Sequence, residues 1–291
     1  MIRRRLLYAG LLMTTMLWGG AFVAIKRALQ YLTPLELILM RFLPASIVFA
    51  FGLAFVDCSA VRDMVKKEWL LLGVMGLTGI VCYNWALNTG EQSIPAGTAS
   101  LLVALAPIFV FGLSVVFLGE LVAWWRIVGL FVALAGLFVV IRFGSGHAVD
   151  FGYLRGVFIT VLAPLSWSIY SVVGRSLSRR YSPFVVTSVT TVVSTLPLLM
   201  MAGGPLLDKL WMMPWDVWAS LAYLALACTV VGLTVWSTAL RALGASRTAG
   251  FVYLVPMWGV ALGAVLLNET VTWALALGAA IIIAGVVLVN R

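Results

Sequence analysis

The chain has 291 residues, 63% hydrophobic and 10% charged, with a formal net charge of +9. Soluble domains are about half apolar and about a quarter charged, so a soluble enzyme, a disordered chain and a receptor with one anchor and a large outer domain are excluded. At roughly 20 apolar residues per membrane helix, the apolar content suffices for about nine or ten crossings, and its continuous runs are not the alternating strands of an outer-membrane barrel.

Ten apolar runs follow one another with short links. Run one, 6–28, follows Arg3-Arg4-Arg5 and carries Trp18, with Met13, Met16 and Phe22 on the same face. It imitates a signal peptide but is too long, and a related segment recurs mid-chain. Run two, 34–56, opens on Pro34 and holds Arg41, about 10 Å in at 1.5 Å per residue. Run three, 69–89, holds Tyr83, Asn84 and Asn88, the asparagines being helical neighbours four residues apart. Run four, 95–118, contains Pro107, and run five, 124–142, is almost free of polar side chains after Arg126. Run six, 153–174, places Trp167, Tyr170 and Ser171 on one face, with Pro164 one turn earlier. Run seven is 183–203, and run eight, 215–240, holds Trp236 and Ser237. Run nine, 246–267, holds Tyr253 and Pro256, and run ten, 271–289, is again nearly all apolar.

The basic residues orient these runs, because cytoplasmic loops are enriched in Lys and Arg. With the N-terminus inside and ten crossings, 13 cations face the cytoplasm, 5 face outward, and Arg41 stays in the membrane. The expected fold class is therefore an all-α integral membrane protein of ten transmembrane helices with both termini cytoplasmic. The cations read as topology signals and contacts with anionic lipid, so the bilayer is the expected partner and nucleic acid is not. Cys58, Cys82 and Cys228 lie far apart without metal-ligand spacing, and His147 is the lone histidine. No metal, cofactor or catalytic group is expected.

Shifted by 149 residues, the chain meets itself. Trp18 falls on Trp167, Pro34 on Pro183, Ala96 on Ala245, Pro107 on Pro256, Glu120 on Glu269 and Trp124 on Trp273. Gly129 and Gly136 likewise fall on Gly278 and Gly285, and 11 of the 32 positions from Leu105 to Gly136 are identical to their mates. The chain thus divides into two five-run copies, 1–145 and 150–291. Five is odd, so the second copy is inverted relative to the first, an arrangement common among secondary transporters.

These positions carry a family resemblance. Trp18-Gly19, Pro34 with Arg41-Phe42, Tyr83-Asn84-Trp85-Ala86-Leu87, Ala106-Pro107 and Gly119-Glu120 stand in the order of an EamA-type carrier of the drug/metabolite transporter superfamily. Val255-Pro256 and Asn268-Glu269 repeat the later motifs, although Asn268 replaces a glycine and Thr190 stands where a second Arg41 would fall. The size and aromatic content are similar to bacterial amino-acid exporters, including aromatic amino-acid exporters of the YddG type. The resemblance implies a ten-helix carrier in the bacterial inner membrane, monomeric or homodimeric, whose cavity is built from runs one, three, four, six, eight and nine.

The intramembrane polar residues set the candidate site. Trp18, Tyr83, Asn84, Asn88, Trp167, Tyr170, Trp236 and Tyr253 suit a small amphipathic molecule, against the alternative that they pack helices or sit in interfacial belts. Arg41 either faces the cavity and attracts a carboxylate, or snorkels or pairs with Glu36 for folding. Glu120, Glu269, Asp57, Glu68 and Glu91 fall at run ends, and run one has no acid. Because proton-coupled carriers use buried carboxylates, the expectation is uniport or exchange without obligatory proton coupling. Pro107 and Pro256 are candidate hinges, as prolines inside helices that bend them. Trp124, Trp125, Trp211, Trp215 and Trp273 read as belt residues. The small-residue seams of runs five and ten read as scaffold or an oligomer contact. A phosphorylated-sugar or nucleotide-sugar exchanger is the second transport reading, for which Lys26 and Arg175, repeat mates near run ends, could guard entrances.

Overall fold

The structure is a computed structural model and describes residues 2–118, 123–143, 150–201, 204–244, 248 and 250–289. Glu120, Ala245 and His147 lie outside the described residues. Every regular element among the described residues is helical. Among the described residues, nine helices are long and apolar enough to cross a membrane, and a tenth apolar stretch, Trp273–Gly285, is shorter. Outward-facing chains such as Phe51, Phe131, Phe138, Phe158 and Val265 are exposed, as expected where lipid replaces water. The five expected belt tryptophans are also exposed, and Trp124, Trp215 and Trp273 each begin a helix.

Run one is the helix Ile2–Ala28 and run two is Pro34–Leu53. Thr33 caps run two in a capping box with Glu36, and Pro34 occupies the first turn, where a missing N–H costs nothing. Run three is not one regular helix. Cys58–Met75 passes into a π-helical stretch, Gly76–Cys82, and then into Tyr83–Glu91. Run eight repeats the plan, with Trp215–Ala222, π-helical Tyr223–Val231 and Gly232–Leu243. A shift of 149 carries the first π stretch into the second. Runs four and nine are also interrupted. Ala96–Val103 breaks at 104–105 before Ala106–Leu118, and the 3-10 stretch Gly250–Leu254 precedes Val255–Leu267. Runs five and six are the unbroken helices Trp124–Phe143 and Phe151–Arg180. Run seven is Pro183–Thr195, followed by a 3-10 turn and a short helix, Gly204–Met212, and run ten is Trp273–Val289.

The breaks correct the sequence-based reading of the prolines. Pro107 and Pro256 are each the second residue of the helix that follows a break, so each starts a helix where its absent N–H has no partner to lose. The interior prolines are Pro44 and Pro164.

The packing exchanges the two halves. Run one lies against runs eight and nine, and run six against runs three and four. Runs two and seven pair, as do four and nine, and five and ten. Swapping each run for its 149-residue mate leaves this set unchanged. The pair five and ten stands apart from the centre and is drawn together by glycine. A Cβ on Gly285 would lie 2.4 Å from Ala133 N, and one on Gly136 would lie 2.6 Å from Ile282 N. The small-residue seam is therefore used within the chain and is not a free oligomer face.

Candidate functional site

The two π stretches build the centre. A π turn widens the helix and leaves backbone carbonyls unpaired. Asn84 Nδ2 donates to the carbonyls of Gly79 (3.3 Å) and Ile80 (2.8 Å), and Thr229 Oγ1 donates to that of Leu224 (2.8 Å). So anchored, the two side chains turn acceptor oxygens on Arg41. Arg41 Nε donates to Thr229 Oγ1 at 2.9 Å and Nη1 to Asn84 Oδ1 at 3.0 Å. Arg41 is 9% exposed, and among the described residues no carboxylate lies within ion-pair distance of it. It neither snorkels nor pairs with Glu36, whose carboxylate accepts from Thr33 N and from Lys209 Nζ. The guanidinium is thus a buried cation held by neutral groups.

An aromatic cluster lies beside it. Trp167 is central, 5.4 Å from Trp18 edge to face, 5.6 Å from Trp236, 5.2 Å from Tyr83 and 4.9 Å from Tyr170 in a stack. Trp18 and Trp236 also touch, at 5.2 Å. Trp18 Nε1 donates to the Cys228 carbonyl at 3.0 Å, again a group of a π stretch. Trp236 Nε1 is buried without a partner. Behind Tyr170, the hydroxyls of Thr187 and Ser237 are 2.6 Å apart.

These groups enclose a cavity of about 50 Å³ lined by Trp18, Phe22, Arg41, Tyr83, Asn84 and Trp167, with apolar residues of runs one to four, eight and nine. That is room for about one or two waters, so the site is closed. Of the nine expected binding residues, Trp18, Arg41, Tyr83, Asn84 and Trp167 line it. Tyr170 and Trp236 back the aromatic cluster without lining it. Asn88 turns away, its Nδ2 donating to the Pro34 carbonyl at 3.2 Å. Tyr253 is buried in the 3-10 stretch of run nine, whose Val252 and Val255 reach the cavity instead. Sequence reasoning missed Thr229 and Gly79. Gly79 carried no signal in the sequence; the structure shows its need for glycine, since a Cβ there would lie 2.2 Å from the Tyr170 ring. Thr229 carried none beyond being polar within an apolar run.

A sequence model of the EamA-like transporter family matches this chain twice, over residues 6–142 and 154–291. The chain belongs to the EamA-like transporter family. It is a membrane transporter and not an enzyme, with a small-molecule substrate and the bilayer as partners. A protein of Streptantibioticus cattleyicolor named "Probable terminal-alkyne amino-acid exporter" is 32% identical, over 97% of this chain and 92% of its own length. An Escherichia coli protein named "Probable amino-acid metabolite efflux pump" is 29% identical, over 94% of this chain and 91% of its own. An uncharacterized transporter of Archaeoglobus fulgidus is 29% identical over 97% of both chains. A solved crystal structure with 20% identity matches at a TM-score of 0.65, covering 96% of this chain and 94% of that one, so the fold is shared.

Proposed function

We propose that this EamA-family carrier exports or exchanges small amphipathic metabolites, amino acids first and aromatic ones among them, by alternating access across the bacterial inner membrane. The observation that carries this reading is Arg41. A buried cation with only neutral partners attracts an anion, and here it adjoins a cluster of Trp and Tyr rings suited to an apolar or aromatic side chain. An α-carboxylate on Arg41 with its side chain against Trp18 and Trp167 satisfies both. The names of the amino-acid exporter and efflux-pump relatives support the same substrate class.

The topology belongs to this proposal. Ten crossings, with run ten as the short tenth, put both termini in the cytoplasm and the 13 cations inside. Two inverted copies, 1–145 and 150–291, are supported by the paired π stretches, the paired breaks and the packing that survives exchange of the halves. The internal use of the seam between runs five and ten favours a monomer over a homodimer built on it.

The transport is uniport or exchange without obligatory proton coupling. Run one has no acid, and among the described residues no carboxylate lines the central cavity, the buried Glu91 lying outside its lining. A phosphorylated-sugar exchanger is less favoured, because such substrates call for several forked cations and, among the described residues, Arg41 is the one cation lining the cavity. The deciding experiment is a panel of amino acids and sugar phosphates in proteoliposomes, with and without pH and voltage gradients. Saturable uptake of neutral amino acids without a gradient is expected. Uptake of phosphorylated compounds alone, or only with an imposed pH gradient, contradicts the reading.

A further inference from the structure

A second cavity, of about 460 Å³, opens at the end of the molecule where run one finishes. That volume is within the range of small-molecule sites, roughly 300–1,000 Å³. It stands over the central cavity on the same helices. On run one, Phe22 and Ile25 line the inner cavity and Lys26 the outer. Val103 lies below Gly97 and Thr98 on run four, and Val255 below Val260 on run nine. On run three, Leu87 lines the inner cavity and Glu91 follows one turn later, fully buried in the layer between the two.

The ionisable groups of this layer and of the outer cavity are unequally satisfied. Lys26 Nζ donates to the carbonyls of Glu91 and Ile94, at 2.5 and 2.7 Å. An ammonium has three donors, so one remains. Glu269, in the link after run nine, accepts from Ala96 N at 2.7 Å and Gly97 N at 3.0 Å, and thus caps run four. It reaches there because Asn268 ends run nine with φ 54°, a conformation that Gly or Asn tolerates. Asp150 accepts from Tyr153 N at 2.7 Å as the cap of run six. Glu91 differs from both: its two carboxylate oxygens are buried and have no hydrogen-bond partner. The sequence put Glu91 at a run end, but its helix packs closely on run six and also meets run one, and Glu91 is fully buried there.

We propose that Lys26 and Glu91 form a second binding station for zwitterionic α-amino acids on the route between the central cavity and the outer one. As the layer opens, the free donor of Lys26 takes the α-carboxylate leaving Arg41, and Glu91 takes the α-ammonium. This rests on the amino-acid reading above and extends it: Arg41 recognises the carboxylate alone, whereas this station recognises both charges.

The test measures efflux from proteoliposomes holding the full chain. The probes are L-phenylalanine, its deaminated analogue 3-phenylpropionate and its decarboxylated analogue 2-phenylethylamine. Removing one charged hydrogen bond is expected to slow phenylalanine efflux roughly tenfold or more. In Glu91→Gln, phenylalanine efflux should fall to the level of 3-phenylpropionate. In Lys26→Gln it should fall toward that of 2-phenylethylamine but stay above it, because phenylalanine keeps its contact with Arg41. Glu91→Asp, which keeps the charge, should retain part of the preference for phenylalanine. If both glutamine variants keep the wild-type preference, or slow all three probes by one factor, the station is refuted. If that happens while Arg41→Gln still weakens phenylalanine transport, the amino-acid reading survives alone. If wild-type protein moves no amino acid, both fall.

Discussion

Replacing Arg41 by glutamine separates recognition from folding. The wild-type guanidinium makes two hydrogen bonds, to Thr229 and Asn84, in a buried setting without a counter-charge. Glutamine leaves the Asn84 carbonyl oxygen without its donor, a cost of about 1–3 kcal/mol. It also removes a buried cation whose desolvation costs several kcal/mol. The two effects oppose each other, so the melting temperature should hold or rise. Substrate binding has no such offset. A hydrogen bond to a charged group contributes about 1.5–3 kcal/mol, so losing the contact with the substrate carboxylate should weaken affinity roughly tenfold to a hundredfold. Arg41→Lys should fall between, because lysine keeps the charge and loses the fork. The measurements are thermal unfolding in detergent and equilibrium binding by tryptophan fluorescence, for which Trp18, Trp167 and Trp236 are well placed. A decarboxylated amine of the same side chain serves as control and should bind both proteins alike. Unchanged amino-acid affinity in Arg41→Gln, or equal weakening of the amine, would refute the reasoning.

Four further substitutions probe the frame around the site. Gly79→Ala puts a methyl 2.2 Å from the Tyr170 ring; overpacking of this kind costs about 1–3 kcal/mol, so both the melting temperature and uptake should fall. Gly285→Ala forces runs five and ten apart at the Ala133 and Gly129 backbone; stability should drop by a similar amount, about 1–3 kcal/mol, while affinity measured on the folded fraction stays at the wild-type value. Pro107→Ala and Pro256→Ala restore an N–H that can bond to the carbonyl four residues back, across the break, which lets runs four and nine close their breaks. Turnover in proteoliposomes should slow more than binding weakens, and unchanged turnover removes these breaks from the transport cycle.

Much of the frame was legible because it depends on local chemistry. Continuous apolar runs, a proline at the start of run two and the 149-residue repeat are properties of the chain itself. The site was legible only in part. Asn84 and Asn88 are helical neighbours, yet Asn84 meets Arg41 while Asn88 holds the start of run two. The π stretch just before them sets which face of run three looks inward, and its bonding answers to tertiary packing that no periodicity reports. Pro107 illustrates a second gap. A proline within an apolar run can kink one helix or begin another, and only the break before Ala106 decides between them. Glu91 illustrates a third, since it stands at a run end in the sequence and is fully buried where its helix packs on run six, a contact that no local pattern reports.

The central cavity is smaller than any amino acid, so the alternating access proposed above needs it to swell and to open toward each face in turn. Long unbroken helices such as run six and the glycine-locked pair of runs five and ten resist that change. The irregular elements do not. Runs three and eight carry π stretches whose carbonyls are held by side chains, and runs four and nine are each two helices joined at a break. All four surround the cavity, and exchange of the halves maps three onto eight and four onto nine. Whatever movement opens one face through runs three and four is therefore available to the other through runs eight and nine. The side chains at the two ends need not match, and they do not: Lys26 and Glu91 stand at the end where run one finishes, whereas Glu68 pairs with Arg180 toward the other. Under the proposed alternating access the repeat would supply a common mechanism of opening, and its divergence would leave each face free to treat the substrate differently.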